Sequence, residues 1–142
     1  MSSFSIMVQE KTTTALTFED FKIEVLNDYK IAVTSRECSL LGRKEVLTGK
    51  AKFGIFGDGK EVPQLAMAKY FKNGDFRSGY YRDQTFMMAI GQLTIKEFFA
   101  GLYGHTDLDH EPMSAGRQMG GHFVTLWITN PCRLEDKWEA IL

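Results

Sequence analysis

The feature that most constrains this chain is a run of apolar residues at spacings of three and four, beginning just after Thr17. Its members are Phe18, Phe21, Val25, Leu26, Tyr29, Ala32, Val33, Leu40, Leu41, Val46 and Leu47. This spacing matches the helical repeat and predicts one long amphipathic helix, interrupted, if anywhere, near Ser39. Asp20, three residues after Thr17, completes an approximate capping box. The apolar stripe is expected to pack against other elements.

Shorter helical segments follow, separated by glycine-bearing turns. The turn at Asp58-Gly59 precedes a second helix, predicted from Glu61 to just before Asn73. A third helix is predicted over residues 84–90.

A capping box predicts the fourth helix. Thr94 with Glu97 forms the box, and Gly104 is expected to end the helix. Residues 76–83, "FRSGYYRD", are short and aromatic, so we expect a strand-like link there. The predicted fold class is therefore mostly α.

Composition bounds the classes of function. The 142 residues fit one domain, and 44% hydrophobic with 25% charged residues is typical of a soluble globular protein. The net charge of −1 provides no general attraction to nucleic acid or to an anionic membrane. No apolar run reaches the roughly 18 residues of a membrane span, and no signal peptide is recognisable. Cys38 and Cys132 form no paired motif, which favours reduced thiols in a cytoplasmic protein.

The segment "RSGYYRDQTF" is a candidate anion site. The planar guanidinium of Arg82 matches phosphate or carboxylate oxygens, and the hydroxyls of Tyr80 and Tyr81 are further donors. A surface ion pair between Arg82 and Asp83 would have the same sequence pattern and contribute little. The residues alone do not separate these two interpretations.

Two further groups have weaker patterns. His105, Asp107, Asp109, His110 and Glu111 are residue types that bind divalent metals, although a solvated loop is the simpler interpretation. Glu61 and Gln64 are three residues apart on one helical face, so both could face one cleft or simply lie at the surface.

Four segments together carry a family resemblance. "GKEVPQLAMA", "GDFRSGYYRDQTFMMAIG", "IKEFFAGLYG" and "SAGRQMGGHF" occur in this order within residues 49–123. They resemble the N-terminal part of the alpha portion of the thiamine-diphosphate-dependent 2-oxo acid dehydrogenases. The likeness is greatest to the branched-chain 2-oxoisovalerate type and to bacterial forms with fused alpha and beta portions. The resemblance implies the N-terminal helical part of the α/β thiamine-diphosphate-binding fold.

The resemblance also implies residue roles. Tyr81 and Arg82 match the pair that holds the cofactor diphosphate, and Tyr80 matches the cofactor-proximal position before them. Gln84 stands where many pyruvate-type relatives carry a histidine near the active centre. Glu61 matches a glutamate of the pocket and is predicted to be catalytic.

A glycine-rich active-site loop is implied over residues 114–123. Its predicted members are Ser114, Arg117 and Gln118, and His122 is predicted to be catalytic. The implied reaction is oxidative decarboxylation of a 2-oxo acid such as 2-oxoisovalerate or pyruvate, with acyl transfer to a lipoyl group. The implied partners are the beta portion or subunit, a lipoyl-bearing acyltransferase and the substrate.

The resemblance does not extend over the whole family pattern. The metal–diphosphate motif does not occur in this sequence, so no magnesium ligand is assigned. "GDGK" at residues 57–60 lies before the first matching helix and is not that motif. We expect a flexible N-terminus over residues 1–16, the helical segment over 17–123, and a divergent, truncated tail over 124–142.

Three functional hypotheses follow. The first is an N-terminal dehydrogenase fragment that is inactive alone. The second is a small helical interaction module without catalysis. The third, a metal-binding protein, depends on residues 105–111. Exposed helix stripes also predict a homo-oligomer.

Overall fold

The computed structural model describes residues 17–72, 75–77, 79–111 and 114–117, together with the backbone of residues 125–126. The predicted N-terminal segment 1–16 and most of the predicted tail 124–142 lie outside these residues. The elements are helices α1 (Phe18–Leu47), α2 (Glu61–Tyr70), α3 (Gln84–Ala89) and α4 (Ile95–Tyr103), and strands β1 (Phe76–Arg77) and β2 (Thr125–Leu126).

The mostly helical prediction is confirmed, and several boundaries follow local signals. The Thr17 side chain caps α1 by accepting from the Asp20 amide at 3.2 Å. Both halves of the Thr94–Glu97 capping box are formed at α4, and Gly104 ends that helix in the left-handed conformation.

Helix α1 is continuous over 30 residues, so the suspected interruption near Ser39 does not occur. The Ser39 hydroxyl donates to the Ser35 carbonyl at 3.2 Å, one turn earlier, and stays within the helix. Gly42 faces Phe56 so closely that an added Cβ would lie 2.5 Å from the ring. The helix therefore buries a face of small residues.

Most of the apolar stripe of α1 does not pack within the described part of the chain, contrary to expectation; of its members only Ala32 and Val46 are partly buried. The buried positions of α1 are Ser35, Cys38, Ser39, Gly42 and Glu45. The large apolar side chains stay in solvent: Phe18 is 75% exposed, Leu26 59% and Leu47 81%. The helix thus turns its small and polar side towards the fold.

The hydrophobic core lies between the shorter helices. Phe86, Met87, Ile90 and Leu93 form its centre. Phe71 packs edge-on against Phe86 at 5.2 Å between ring centroids. The core therefore anchors α3, which directly follows the tyrosine–arginine segment.

The predicted strand-like link is a two-residue strand. β1 pairs antiparallel with β2, with Phe76 opposite Leu126 and Arg77 opposite Thr125. No helix in the described residues has the length and apolar character needed to cross a bilayer.

Candidate functional site

A cavity of about 370 Å³ lies between the segment after α1, helix α4 and the loop around Ser114. Its apolar walls include Phe53, Phe56, Leu93, Phe98 and Leu102. Its polar lining includes Tyr81, Gln84, Glu97, Glu111 and Ser114. Three residues singled out by the resemblance, Tyr81, Gln84 and Ser114, are thus brought to one cavity from two separate parts of the sequence.

The backbone at Arg82 is held from two sides. An added Cβ on Gly57 would lie 2.4 Å from the Arg82 carbonyl oxygen, so only glycine permits this approach. The Gln64 side chain donates to the same carbonyl at 2.8 Å and accepts from the Phe86 amide at 3.0 Å. The Gln64 side chain is therefore buried, and its two hydrogen bonds link α2 to the turn before α3 and to α3 itself.

The Arg82 side chain is not paired with Asp83. Asp83 instead forms its ion pair with Arg77 and accepts from the Tyr80 amide at 2.9 Å. The Nε atom of Arg82 is buried and has no hydrogen-bond partner among the described residues. A buried donor without a partner is unfavourable, so this Nε atom is available for an acceptor that the described residues do not supply.

Two phenol rings lie beside this guanidinium. The Arg82 guanidinium carbon is 5.4 Å from the centroid of the Tyr81 ring. The rings of Tyr80 and Tyr81 are 4.0 Å apart, and their hydroxyls are hydrogen-bonded. This hydrogen bond raises the pKa of Tyr80, which is half exposed, whereas Tyr81 lines the cavity. Arg82 is not itself among the residues that line the cavity, but it neighbours Tyr81, which is.

Gln84 is fully enclosed and joins three segments. Its side-chain nitrogen donates to the Ser35 carbonyl at 2.9 Å and to the Ser39 hydroxyl at 2.7 Å. Its side-chain oxygen accepts from the Gly57 amide at 3.4 Å. The amide therefore links α1, α3 and the glycine turn at one edge of the cavity.

The Glu61 carboxylate lies away from the cavity lining. It accepts from Arg36 at 2.6 and 3.0 Å and from the Gly59 amide at 2.9 Å. The Arg36 hydrogen bond is the main reason that the pKa of Glu61 falls to about 2. Glu61 is thus ionised at neutral pH and paired with Arg36, and the catalytic role predicted for it stays a prediction.

Glu111 organises the loop that carries Ser114. One carboxylate oxygen accepts from the Ser114 amide and from the Gly116 amide, both at 2.9 Å, and from the Ser114 hydroxyl at 3.0 Å. Ala115, between them, has a φ of 50°, which is unusual for a residue with a Cβ. The sequence suggested Glu111 only as a metal ligand. A carboxylate that accepts hydrogen bonds from several backbone amides has no distinctive sequence motif.

The remaining loop predictions divide into two groups. Arg117 is exposed, with its guanidinium 3.5 Å from the Ser114 carbonyl oxygen, and does not line the cavity. Gln118 and His122 lie outside the described residues, so their predicted roles stay predictions.

The suggested metal ligands do not converge. His110 contacts Asp107 at 2.9 Å between Nδ1 and Oδ2, and the rings of His105 and His110 are 5.0 Å apart. Among the residues that the structure describes, no three His, Cys, Asp or Glu side chains are grouped to hold a metal ion.

The arrangement combines an unpartnered guanidinium donor, a neighbouring phenol and an apolar cavity. Such a site suits a ligand with an anionic group attached to a less polar body. Compared with protein-family models, with curated proteins and with solved structures, the chain matches none of them.

Proposed function

We propose that this chain provides the N-terminal helical part of the α/β thiamine-diphosphate-binding fold in a 2-oxo acid dehydrogenase. The observation that carries the proposal is the buried, unpartnered Nε of Arg82 beside Tyr81, a residue of the cavity wall; no partner for this atom lies among the described residues. These are the two residues that the family resemblance matches to the diphosphate-holding pair.

The residues present fit the anionic part of the cofactor. Arg82 would donate to diphosphate oxygens, and the Tyr81 hydroxyl would be a second donor from the cavity wall. When bound, thiamine diphosphate supplies the electron sink for decarboxylation. The magnesium ion that accompanies it finds no ligand group among the described residues, so the proposal assigns its ligands to the remainder of the enzyme.

The cavity walls favour a substrate with an apolar side chain. Phe53, Phe56 and Phe98 supply aromatic surface that would exclude water from a branched or short alkyl group. This supports a 2-oxo acid such as 2-oxoisovalerate or pyruvate. We further propose that the enzyme is cytoplasmic and that its beta portion completes the site. Its acyl product would pass to a lipoyl-bearing acyltransferase.

A chimera tests this proposal. Residues 49–123 of this chain replace the corresponding segment of a complete 2-oxo acid dehydrogenase, and carbon dioxide release and cofactor affinity are measured. We expect the chimera to be active and Arg82→Ala to weaken thiamine diphosphate binding roughly 10- to 150-fold, the equivalent of one charged hydrogen bond. Lys60→Ala, which removes an exposed cation of the same segment that lies outside the cavity lining, is the matched control and should leave affinity unchanged.

Two outcomes would contradict the proposal. The first is an active chimera whose cofactor affinity is unchanged by Arg82→Ala, since the guanidinium would then have no role. The second is a correctly folded chimera without decarboxylation. For the 142-residue chain alone, we expect no heat of binding on titration with thiamine diphosphate and magnesium, because the described residues contain no metal-ligand group.

A second candidate function is a helical interaction module without catalysis. The apolar face that α1 leaves in solvent favours it. Loss of activity in the chimera together with specific protein binding by the intact chain would support this candidate over the enzyme.

A further inference from the structure

The strongest feature outside the cavity is the exposed face of α1. Ten large apolar side chains of this helix are at least 39% exposed. Four of them, Leu26, Val33, Leu40 and Leu47, are separated by seven residues each. We call these four residues the α1 row. A seven-residue apolar repeat is the pattern by which one helix packs lengthwise against another.

The α1 row lies opposite the side of α1 that faces the fold. The buried positions Ser35, Cys38 and Gly42 are offset from the row by about half a helical turn. The row can therefore accept a second helix without displacing any contact that α1 makes within the described residues.

Three members of the row, Leu26, Val33 and Leu40, are symmetric about the centre of the helix, and this indicates the occupant. Leu47 has no apolar counterpart, because Glu19 stands fourteen residues before Val33. Val33 lies within one residue of the midpoint of the 30-residue helix, and Leu26 and Leu40 are each seven residues from Val33. An antiparallel copy of α1, related by a twofold axis at Val33, would place Leu26 of each copy against Leu40 of the other. It would also overlap almost the whole helix, about 45 Å.

The charges beside the row fit the same arrangement. Lys30 lies three residues before Val33 and Glu37 four residues after it, on the same flank of the row. Neither forms an ion pair within the described part of the chain. The twofold operation would bring Lys30 of each copy opposite Glu37 of the other, and such opposite charges select register and orientation.

The like charges at the ends of the overlap are partly compensated. Lys22 would face Arg43 of the other copy, but Glu19 lies 3.8 Å from Lys22 in the same helix. Arg36 and Arg43, which also border the row, are already paired with Glu61 and Asp58. The charges that border the α1 row therefore nearly cancel. A nearly neutral border favours another protein helix, rather than an anionic membrane surface, as the partner of the row.

We propose that the α1 row is a homodimer interface in which two copies of this chain pair antiparallel through α1, with Val33 at the twofold axis. The interface depends on α1 alone and not on the cofactor assignment. The chain would thus form a dimer whether or not the 2-oxo acid dehydrogenase proposal holds.

Cysteine crosslinking of the intact chain tests the orientation. In a Cys132→Ser background, Val33→Cys should form a disulfide-linked dimer rapidly, because the two positions meet at the axis. Leu47→Cys should crosslink at least tenfold more slowly, because antiparallel pairing places those positions at opposite ends. Equal rates at both positions would indicate parallel pairing or random collision and would overturn the proposal.

Charge reversal tests the register. Light scattering with size-exclusion chromatography should give a dimer mass for the native chain. Lys30→Glu and Glu37→Lys should each weaken dimerisation at least tenfold, and the double variant should restore it. A double variant as weak as either single variant would contradict the reciprocal pairing.

Burial of charge tests the axis itself. Val33→Asp places two carboxylates together and should give a monomer, whereas Val62→Asp, at an exposed site of α2, should leave the dimer intact. Circular dichroism verifies that both variants remain helical. A native chain that stays monomeric at millimolar concentration would overturn the proposal and leave the row to a different partner. A native dimer that Val33→Asp does not weaken would also overturn it.

Discussion

Glu61 and Arg82 both contact the glycine turn at residues 57–59, and they differ in how their charges are satisfied. Glu61 is paired twice by Arg36 and accepts a backbone amide, which lowers its pKa from 4.5 to about 2. Arg82 has a buried donor without a partner among the described residues. A fully paired charge stabilises the fold, whereas an unpartnered one is the better candidate for a ligand contact.

The Glu61 pairing predicts acid sensitivity. Because its pKa is lower in the folded chain, its stabilisation is complete above pH 4.5 and is lost as the pH falls towards 2. Glu61→Gln should lower the free energy of unfolding by about 1–3 kcal/mol at about pH 7 and flatten its dependence on pH in the acid range. Denaturant unfolding at a series of pH values from neutral to acid measures both effects.

The control for this prediction is Glu19→Gln, which removes an exposed carboxylate of α1. We expect it to change stability by less than about 0.5 kcal/mol. If Glu61→Gln kept the native acid sensitivity, another group would be responsible for it.

At the scale of elements, local interactions set where α4 begins, whereas long-range interactions set which face of α1 is buried. Helix α4 begins at a capping box that four consecutive residues encode, and that prediction is confirmed. Helix α1 meets α3 through Gln84, Ser35 and Ser39, and nothing near Ser35 in the sequence indicates that a serine face would be buried. A hydrogen bond between residues 49 positions apart depends on how the chain folds back.

The α4 cap gives an element-scale prediction. Thr94→Ala removes the acceptor for the Glu97 amide and should lower the free energy of unfolding by about 1 kcal/mol. Thr94→Ser keeps a hydroxyl acceptor and should cost much less. Denaturant titration of the three proteins gives the comparison, and equal losses for Ala and Ser would show that the hydroxyl is unimportant.

The Gln84 amide gives a second prediction at this scale. Gln84→Leu keeps a similar volume but leaves the Ser35 carbonyl and the Ser39 hydroxyl without their shared donor. We expect a loss of about 1–3 kcal/mol, since buried polar groups without partners are unfavourable. Gln92→Leu, at an exposed site, is the matched control. Similar stability for the two variants would show that the buried amide is dispensable.

For the whole molecule, the exposed α1 row predicts that stability depends on concentration. A dimer that forms only from folded chains raises the melting temperature as protein concentration rises. The native chain should therefore melt at a higher temperature when its concentration is raised about a hundredfold within the micromolar range. Val33→Asp should melt at the same temperature at both concentrations, and a native chain that behaves likewise would argue against the dimer.

Short-range patterns in the sequence determined the helical class, the caps of α1 and α4, and the turn before α2, because each depends on neighbouring residues. Only the tertiary structure decided which face of α1 is buried, which carboxylate pairs with which arginine, and which residues share the cavity. Helical periodicity specifies that a face is apolar but not what covers it. Likewise, Asp83 is adjacent to Arg82 in sequence yet pairs with Arg77, because the turn before α3 orients its carboxylate that way.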